Sequence, residues 1–277
     1  MTPDIKIKID PQEDIKAFLF FLNHPFFVRN RNSILKAHPK LEECVDDPDF
    51  KDRVRDYVLK FYQDKQEEIE RIVAENETKL GNKERAFELL AKLMQYKWDS
   101  SWEVTAYISI LPFSPFSDKK FNYSIFGELY KNNPVNKSIL SVAVHEISHM
   151  IFFDKLKEIA DYKNSAIYYL KEAITTALIN NEELKSILET KEDPGNPDIQ
   201  EIYIQEGDDE PVTLIQYVDK QIRESGSFDD TIKLLSQKFM LSKDQFDEKR
   251  EIWNKFGKST LDNKNQINKF REPVLIK

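Results

Sequence analysis

Residues 138–153 read SILSVAVHEISHMIFF, and their periodicity decides what the middle of this chain is. At about 100° per residue, Ile139, Leu140, Ala143, Val144, Ile147, Met150 and Ile151 fall on one arc, the pattern of an α-helix with a core-facing side. His145 and His149 fall on the opposite arc, with Ser138, Ser141, Val142 and Ser148 around them and Phe152 and Phe153 at its far end. Histidines buried as core would sit among the aliphatic residues, and surface histidines would share their face with charges. A serine-rich face fits neither. Asn133 before Pro134 supplies a cap and a first-turn proline for this helix, and Asn136 is a later alternative cap.

Within that helix, His145-Glu146-Ile147-Ser148-His149 has the spacing His-Glu-x-x-His. Residues four apart on a helix point the same way, and zinc takes neutral imidazole nitrogen, so both rings can reach one ion. Glu146 is rotated by about 100° from His145, off the ligand pair and toward the metal's open position, where a carboxylate acts as general base on bound water. With four histidines among 277 residues, a random chain of this composition holds such a pattern only about half a percent of the time. Chance is therefore a weak competitor.

A catalytic zinc needs three protein ligands and an open position. No histidine follows His149, and Lys155 stands where the longer motif would carry a third one, so the downstream chain can offer only a carboxylate. Residues 164–180, NSAIYYLKEAITTALIN, place Ala166, Ile167, Leu170, Ala173, Ile174, Ala177 and Leu178 on one arc of a second helix. Glu172 lies opposite that arc, 172 − 149 = 23 residues after the second histidine. It shares its face with Ser165, Tyr168, Tyr169, Thr175, Thr176 and Ile179, a setting that points to contact with protein rather than water. Asp161, 161 − 149 = 12 residues on, is the alternative third ligand. His24 and His38, each followed by a proline, read as local structure.

This arrangement resembles the gluzincin metallopeptidases, in which a His-Glu-x-x-His helix is followed by a second helix donating a glutamate. The resemblance covers roughly residues 100–190 and rests on His145, Glu146, His149 and Glu172; it is a match to the superfamily, not to one family. It implies a zincin-like core, one Zn2+ per chain held by His145, His149 and Glu172, Glu146 as the catalytic residue, and a peptide or protein substrate. Many gluzincins carry an acidic residue four positions after the ligand glutamate to hold a ligand histidine. Here that position is Thr176, which can hydrogen-bond but does not hold imidazole as a carboxylate does. Tyr168 and Tyr169, within a turn of Glu172, are candidates for stabilising the transition state.

Before the zinc helix, residues 103–110 (EVTAYISI) and 121–126 (FNYSIF) alternate with the period of strands, separated by the proline-containing loop LPFSPFSDKK. In the peptidases that this region resembles, such a strand lines the cleft and pairs with extended substrate; an ordinary sheet needs only the same alternation. The first hundred residues read as helices, including one long charged helix over residues 50–80 with a narrow apolar stripe. After residue 190, ETKEDPGNPD reads as a linker, IQEIYIQ as a short strand, EGDDEP as a solvated turn, and residue 227 onward as helices ending in a polar tail. The expected fold is α+β and predominantly helical, with a small β-sheet in front of the zinc helix. A helical region over 1–98, a zincin-like core over 99–190 and a mainly helical region over 191–277 are expected, as one integrated domain or as separate ones.

A formal net charge of −8 with mixed signs along most segments gives no nucleic-acid surface, and no stretch approaches membrane-spanning length. The opening residues lack the apolar run of a signal peptide, and a single cysteine, Cys44, forms no internal disulfide, so a cytoplasmic location is the default. The oligomeric state is not readable. Two rivals to a peptidase stand: a zincin-shaped binding or regulatory protein without catalysis, and a deformylase-like amidohydrolase. The latter would need a cysteine ligand from a nearby segment, whereas Cys44 lies about a hundred residues upstream.

Overall fold

The computed structural model describes residues 2–44, 47–99, 102–130, 137–157, 164–196, 199–259 and 274–276. Asp161, the Asn133-Pro134 and Asn136 caps and the polar tail after residue 260 lie outside the described residues. In chain order the elements are β1 (Asp4–Ile9), α1 (Pro11–Asn23), α2 (Val28–Ala37), α3 (Phe50–Asp64), α4 (Gln66–Thr78), α5 (Lys83–Leu93), β2 (Glu103–Ser109), β3 (Phe116–Ser117), β4 (Lys120–Ser124) and α6 (Phe126–Tyr130). They continue with α7 (Ile139–Lys155), α8 (Ser165–Ile179), α9 (Glu182–Leu188), β5 (Ile202–Ile204), β6 (Val212–Thr213), α10 (Leu214–Glu224), α11 (Phe228–Leu241), α12 (Lys243–Ser259) and β7 (Val274–Ile276). The fold is α+β and predominantly helical, with small mixed sheets. No helix of the described residues is long and apolar enough to cross a membrane.

Two compact units divide the chain, one made of residues 1–83 and 99–146, the other of 84–98 and 147–277. The first holds a four-stranded sheet in the order β1-β2-β4-β3. β1 and β4 both run parallel to β2, whereas β3 runs antiparallel to β4. The loop after β2 places β3 at the far edge, and the Asp118–Lys119 turn returns the chain so that β4 lies between the two. The strand at 103–110 is therefore found as β2, and the one at 121–126 as β4, which ends two residues early because Phe126 begins α6. Strand β1 is an addition: Ile5, Ile7 and Ile9 alternate with lysines, a period-2 signal that also charges the outer edge of the sheet against stray pairing. The long charged helix is two helices, α3 and α4, broken at Lys65, where ψ rises to 15°. No glycine or proline marks that break.

The core of this unit is built by Phe18, Leu22, Ile34, Val54, Val58, Ile69, Ile72, Val104, Ala106, Ile108 and Phe121. Inside it, Asp14 is fully buried. Its Oδ1 accepts from the Ser109 hydroxyl and from Asn122 Nδ2 at 3.5 Å, and its Oδ2 from the Ile110 N–H at 2.9 Å and Tyr62 OH at 3.0 Å. Burial pushes its pKa up to about 6 against the pull of these donors. The same residue, Ile110, is held at its carbonyl by His38, whose Nε2 donates to Ile110 O at 2.9 Å while Nδ1 accepts from Tyr57 OH at 2.8 Å. Burial pulls the His38 pKa down to about 4. His38 thus serves local structure, as does His24, whose ring packs at 5.0 Å from both Phe20 and Phe27.

In the second unit α8 is packed by α10, α11 and α12, so 14 of its 15 residues are buried and it has no solvent face. Asn164 caps its start, accepting from Ala166 N at 3.0 Å and Ile167 N at 3.5 Å. Tyr169 stacks on Phe246 with ring centroids 5.6 Å apart, and Phe246 in turn meets Phe239. Strand β5, expected within IQEIYIQ, lies between β6 and β7 in a three-stranded sheet. The ETKEDPGNPD stretch is not a free linker. Asn180, the residue after α8, donates from Nδ2 to Asp193 O at 2.8 Å and accepts from Asp193 N at 2.7 Å, tying the turn to the helix end.

Candidate metal centre

Helix α7 covers the stretch with which the sequence reading began, and it carries His145, Glu146 and His149 on one turn. The possible ligand atoms of these three side chains all lie within 4.8 Å of one another. His149 and Glu146 are buried and His145 is half-buried. Burying an imidazole and a carboxylate is costly unless partners compensate, and α8 supplies two partners of His149.

Thr175 Oγ1 lies 2.9 Å from His149 Nδ1 and 2.6 Å from Ser148 Oγ. With the proton on Nδ1 the three groups make a relay from Nδ1–H to Thr175 to Ser148, and the Nε2 lone pair then points the other way. There, Glu172 Oε1 lies 3.6 Å from Nε2. That separation is too long for a direct hydrogen bond. Two ligands at about 2.0–2.1 Å from one tetrahedral zinc stand about 3.3 Å apart, so the pair has the spacing of joint ligands. By donor chemistry His145, Glu146 and His149 suit a zinc ion, and His149 and Glu172 have the spacing of two ligands of one ion.

Glu172 itself is held by two donors. Lys171 Nζ lies 2.7 Å from Oε1, and Asn196 Nδ2 donates to Oε2 at 2.9 Å. Lys171 also lies 5.2 Å from the centroid of the Tyr168 ring, and the Arg250 guanidinium carbon lies 4.4 Å from the same centroid. Tyr168 is half-buried among these cations, whereas Tyr169 points into the aromatic core with Phe246. The threonine that reaches His149 is Thr175; its neighbour Thr176 is buried beside Gly195, where a Cβ would stand 3.0 Å from Thr176 Oγ1.

Three residues of this cluster escaped the sequence reading. On the sequence alone Thr175 is one of several residues on the Glu172 face, Lys171 carries no signal, and Asn196 falls in the linker-like stretch. A hydroxyl at the third position after Glu172 is adjacent to it on a helix, which is the one signal that could have singled out Thr175. Nothing local marks Asn196, because its contact depends on how a distant turn returns.

The strand before α7 is not open to an extended chain. On the outer side of β4, Asn122 N donates to Pro115 O at 2.8 Å and Ser124 N to Ser114 Oγ at 3.0 Å, so those positions already serve the sheet itself. Compared with known proteins, the chain matches no family model, no curated sequence and no solved structure.

Proposed function

We propose that this chain is a zinc-dependent peptidase with a zincin-like core, in which His145, His149 and Glu172 hold the metal and Glu146 is the general base. The observation that carries this reading is His149: Thr175 occupies its Nδ1 at 2.9 Å, and Glu172 Oε1 faces its Nε2 at 3.6 Å. A buried imidazole oriented by a hydroxyl on one nitrogen and met by a carboxylate at ligand spacing on the other has the form of a metal ligand with its outer support. A zinc ion there would polarise the scissile carbonyl and lower the pKa of a water toward about 7.

The chain's own residues do the proton work. Glu146, on the same turn as both histidines, accepts a proton from the attacking water and returns it to the leaving amine nitrogen. In this reading Thr175 and Ser148 hold His149 in the Nδ1–H tautomer, which directs the Nε2 lone pair to the metal. Lys171 and Asn196 fix the carboxylate of Glu172. The substrate would be a peptide or protein.

One observation favours a second reading, a zincin-shaped binding protein that holds no metal. The ammonium of Lys171, 2.7 Å from Glu172 Oε1, neutralises that carboxylate without an ion. The two readings separate on zinc content. In the peptidase, purified wild type takes up about one zinc per chain, Glu172→Ala much less, and Glu146→Gln keeps zinc but loses hydrolysis of a peptide library. A folded wild type that takes up no zinc when metal is supplied would overturn the peptidase; full hydrolysis by Glu146→Gln would overturn the role given to Glu146.

A further inference from the structure

The turn that follows α9 is built as a side-chain support. Asn180 clamps Asp193 through both backbone groups, Asp193 Oδ1 accepts from Gly195 N at 2.9 Å, and Gln200 Nε2 donates to Gly195 O at 2.9 Å. Gly195 has φ of +75°, and a Cβ there would meet Ile199 Cδ1 at 2.7 Å and Thr176 Oγ1 at 3.0 Å. Only glycine lets the backbone turn and approach α8 this closely. The next residue, Asn196, delivers its amide to Glu172 Oε2.

The terminal torsion of a glutamate is broad and roughly two-fold, so one donor on one oxygen leaves the carboxylate plane poorly fixed. Lys171 is such a donor: a point charge on a flexible stem with three rotatable N–H groups. A planar amide anchored through a braced turn fixes the second oxygen and with it the plane. We propose that Asn196 is a positioning residue for Glu172, and that the turn of residues 193–196 keeps Oε1 directed at His149 Nε2 so that both can ligate one zinc. This rests on the zinc reading above. The turn is thus part of the centre although it lies 24 residues beyond the ligand it serves.

The test measures zinc affinity by chelator competition, with cobalt absorption spectra and thermal melts alongside, for wild type, Asn196→Ala, Glu172→Ala, the double variant and Asn180→Ala. Asn196→Ala should weaken zinc binding by about 10–100-fold while still taking up one equivalent at saturation, with altered cobalt bands. In the Glu172→Ala background the same substitution should change affinity by less than about twofold, because the carboxylate it positions is gone. Asn180→Ala, which loosens the turn without touching Glu172, should act in the same direction and more weakly, and it carries the test if Asn196→Ala fails to fold. Unchanged zinc affinity in both turn variants, with only the melting temperature lowered, would overturn the positioning role. If wild type and Glu172→Ala differ as expected but the turn variants do not, this proposal alone falls; if wild type takes up no zinc, the zinc reading falls and this one with it.

Discussion

Replacing Asp14 by Asn and, separately, His38 by Gln should uncover two opposite pH dependences that offset one another in the wild-type protein. The Asp14 carboxyl ionises near 3.8 when unfolded and near 6 when folded. Between those values the folded state binds the extra proton, so stability falls as pH rises, by about 3 kcal/mol for a shift of about two units at 1.36 kcal/mol each. His38 goes from 6.5 unfolded to about 4 folded. Between those values the unfolded state binds the extra proton, so stability rises with pH, again by about 3 kcal/mol. Both groups are buried, with Asp14 0% and His38 1% exposed, so solvent screening removes little of either contribution. Carboxylates whose pKa values are lowered by lysines, such as Glu13 and Glu206, lose stability only at lower pH and do so equally in all three proteins. Urea unfolding followed by circular dichroism from pH 4 to 7 gives the differences directly. Relative to wild type, Asp14→Asn should gain about 3 kcal/mol as pH rises from 4 to 6, and His38→Gln should lose about as much from 4 to 6.5. Two flat difference curves, or two of the same sign, would refute this account of the Ile110 clamp.

Thr175→Val removes the acceptor for Nδ1–H of His149 while preserving shape, and should weaken zinc binding by about 10–100-fold in a chelator competition, with Thr175→Ser close to wild type. Equal affinity in the valine variant would mean that the hydroxyl does not orient the ring. Gly195→Ala should destabilise by about 1–3 kcal/mol, read as a lower melting temperature, because the new Cβ meets Ile199 in a left-handed backbone. At the end of α9, Glu189 sits at φ of 52°, and Glu189→Gly should raise stability by about 0.5–1 kcal/mol in the same melting assay.

The elements that the sequence revealed were those with a long period to read. α7 and α8 keep their apolar residues in register over more than a dozen positions, and β2 alternates over seven. The helices over 50–80 kept their stripe too, with Val54, Val58 and Tyr62 followed by Ile69 and Ile72, and a periodicity that survives the break at Lys65 cannot report it. β1 was legible in Ile5, Ile7 and Ile9, but six residues among lysines carry a weak signal. For the candidate centre, ligand atoms on one helix were readable because helix geometry alone places them. Thr175 and Asn196 were not, since their contacts depend on how α8 meets α7 within one unit and on how a turn folds back.

Two buried carboxylates in this chain, Asp14 and Glu172, have contrasting surroundings. Asp14 accepts from the Ser109 hydroxyl and Asn122 on one oxygen and from the Ile110 N–H on the other, where Tyr62 OH, also 2.7 Å from Ile108 O, stands at 3.0 Å. The effect of Asp14 is to pin α1 to the end of β2. Glu172 has a donor on each oxygen, and the oxygen that meets Lys171 also faces the ring nitrogen Nε2 of His149. A buried ion pair such as Lys171–Glu172 adds little to stability, since desolvation offsets its attraction, and apolar residues would serve the packing of α8 at least as well. Retaining Glu172, Lys171 and Thr175 inside a helix packed on all sides by neighbours is therefore hard to account for by folding alone. Polar groups set against local packing rules are where a chain gives up stability for chemistry, and in α8 all three converge on one imidazole or on the carboxylate facing it.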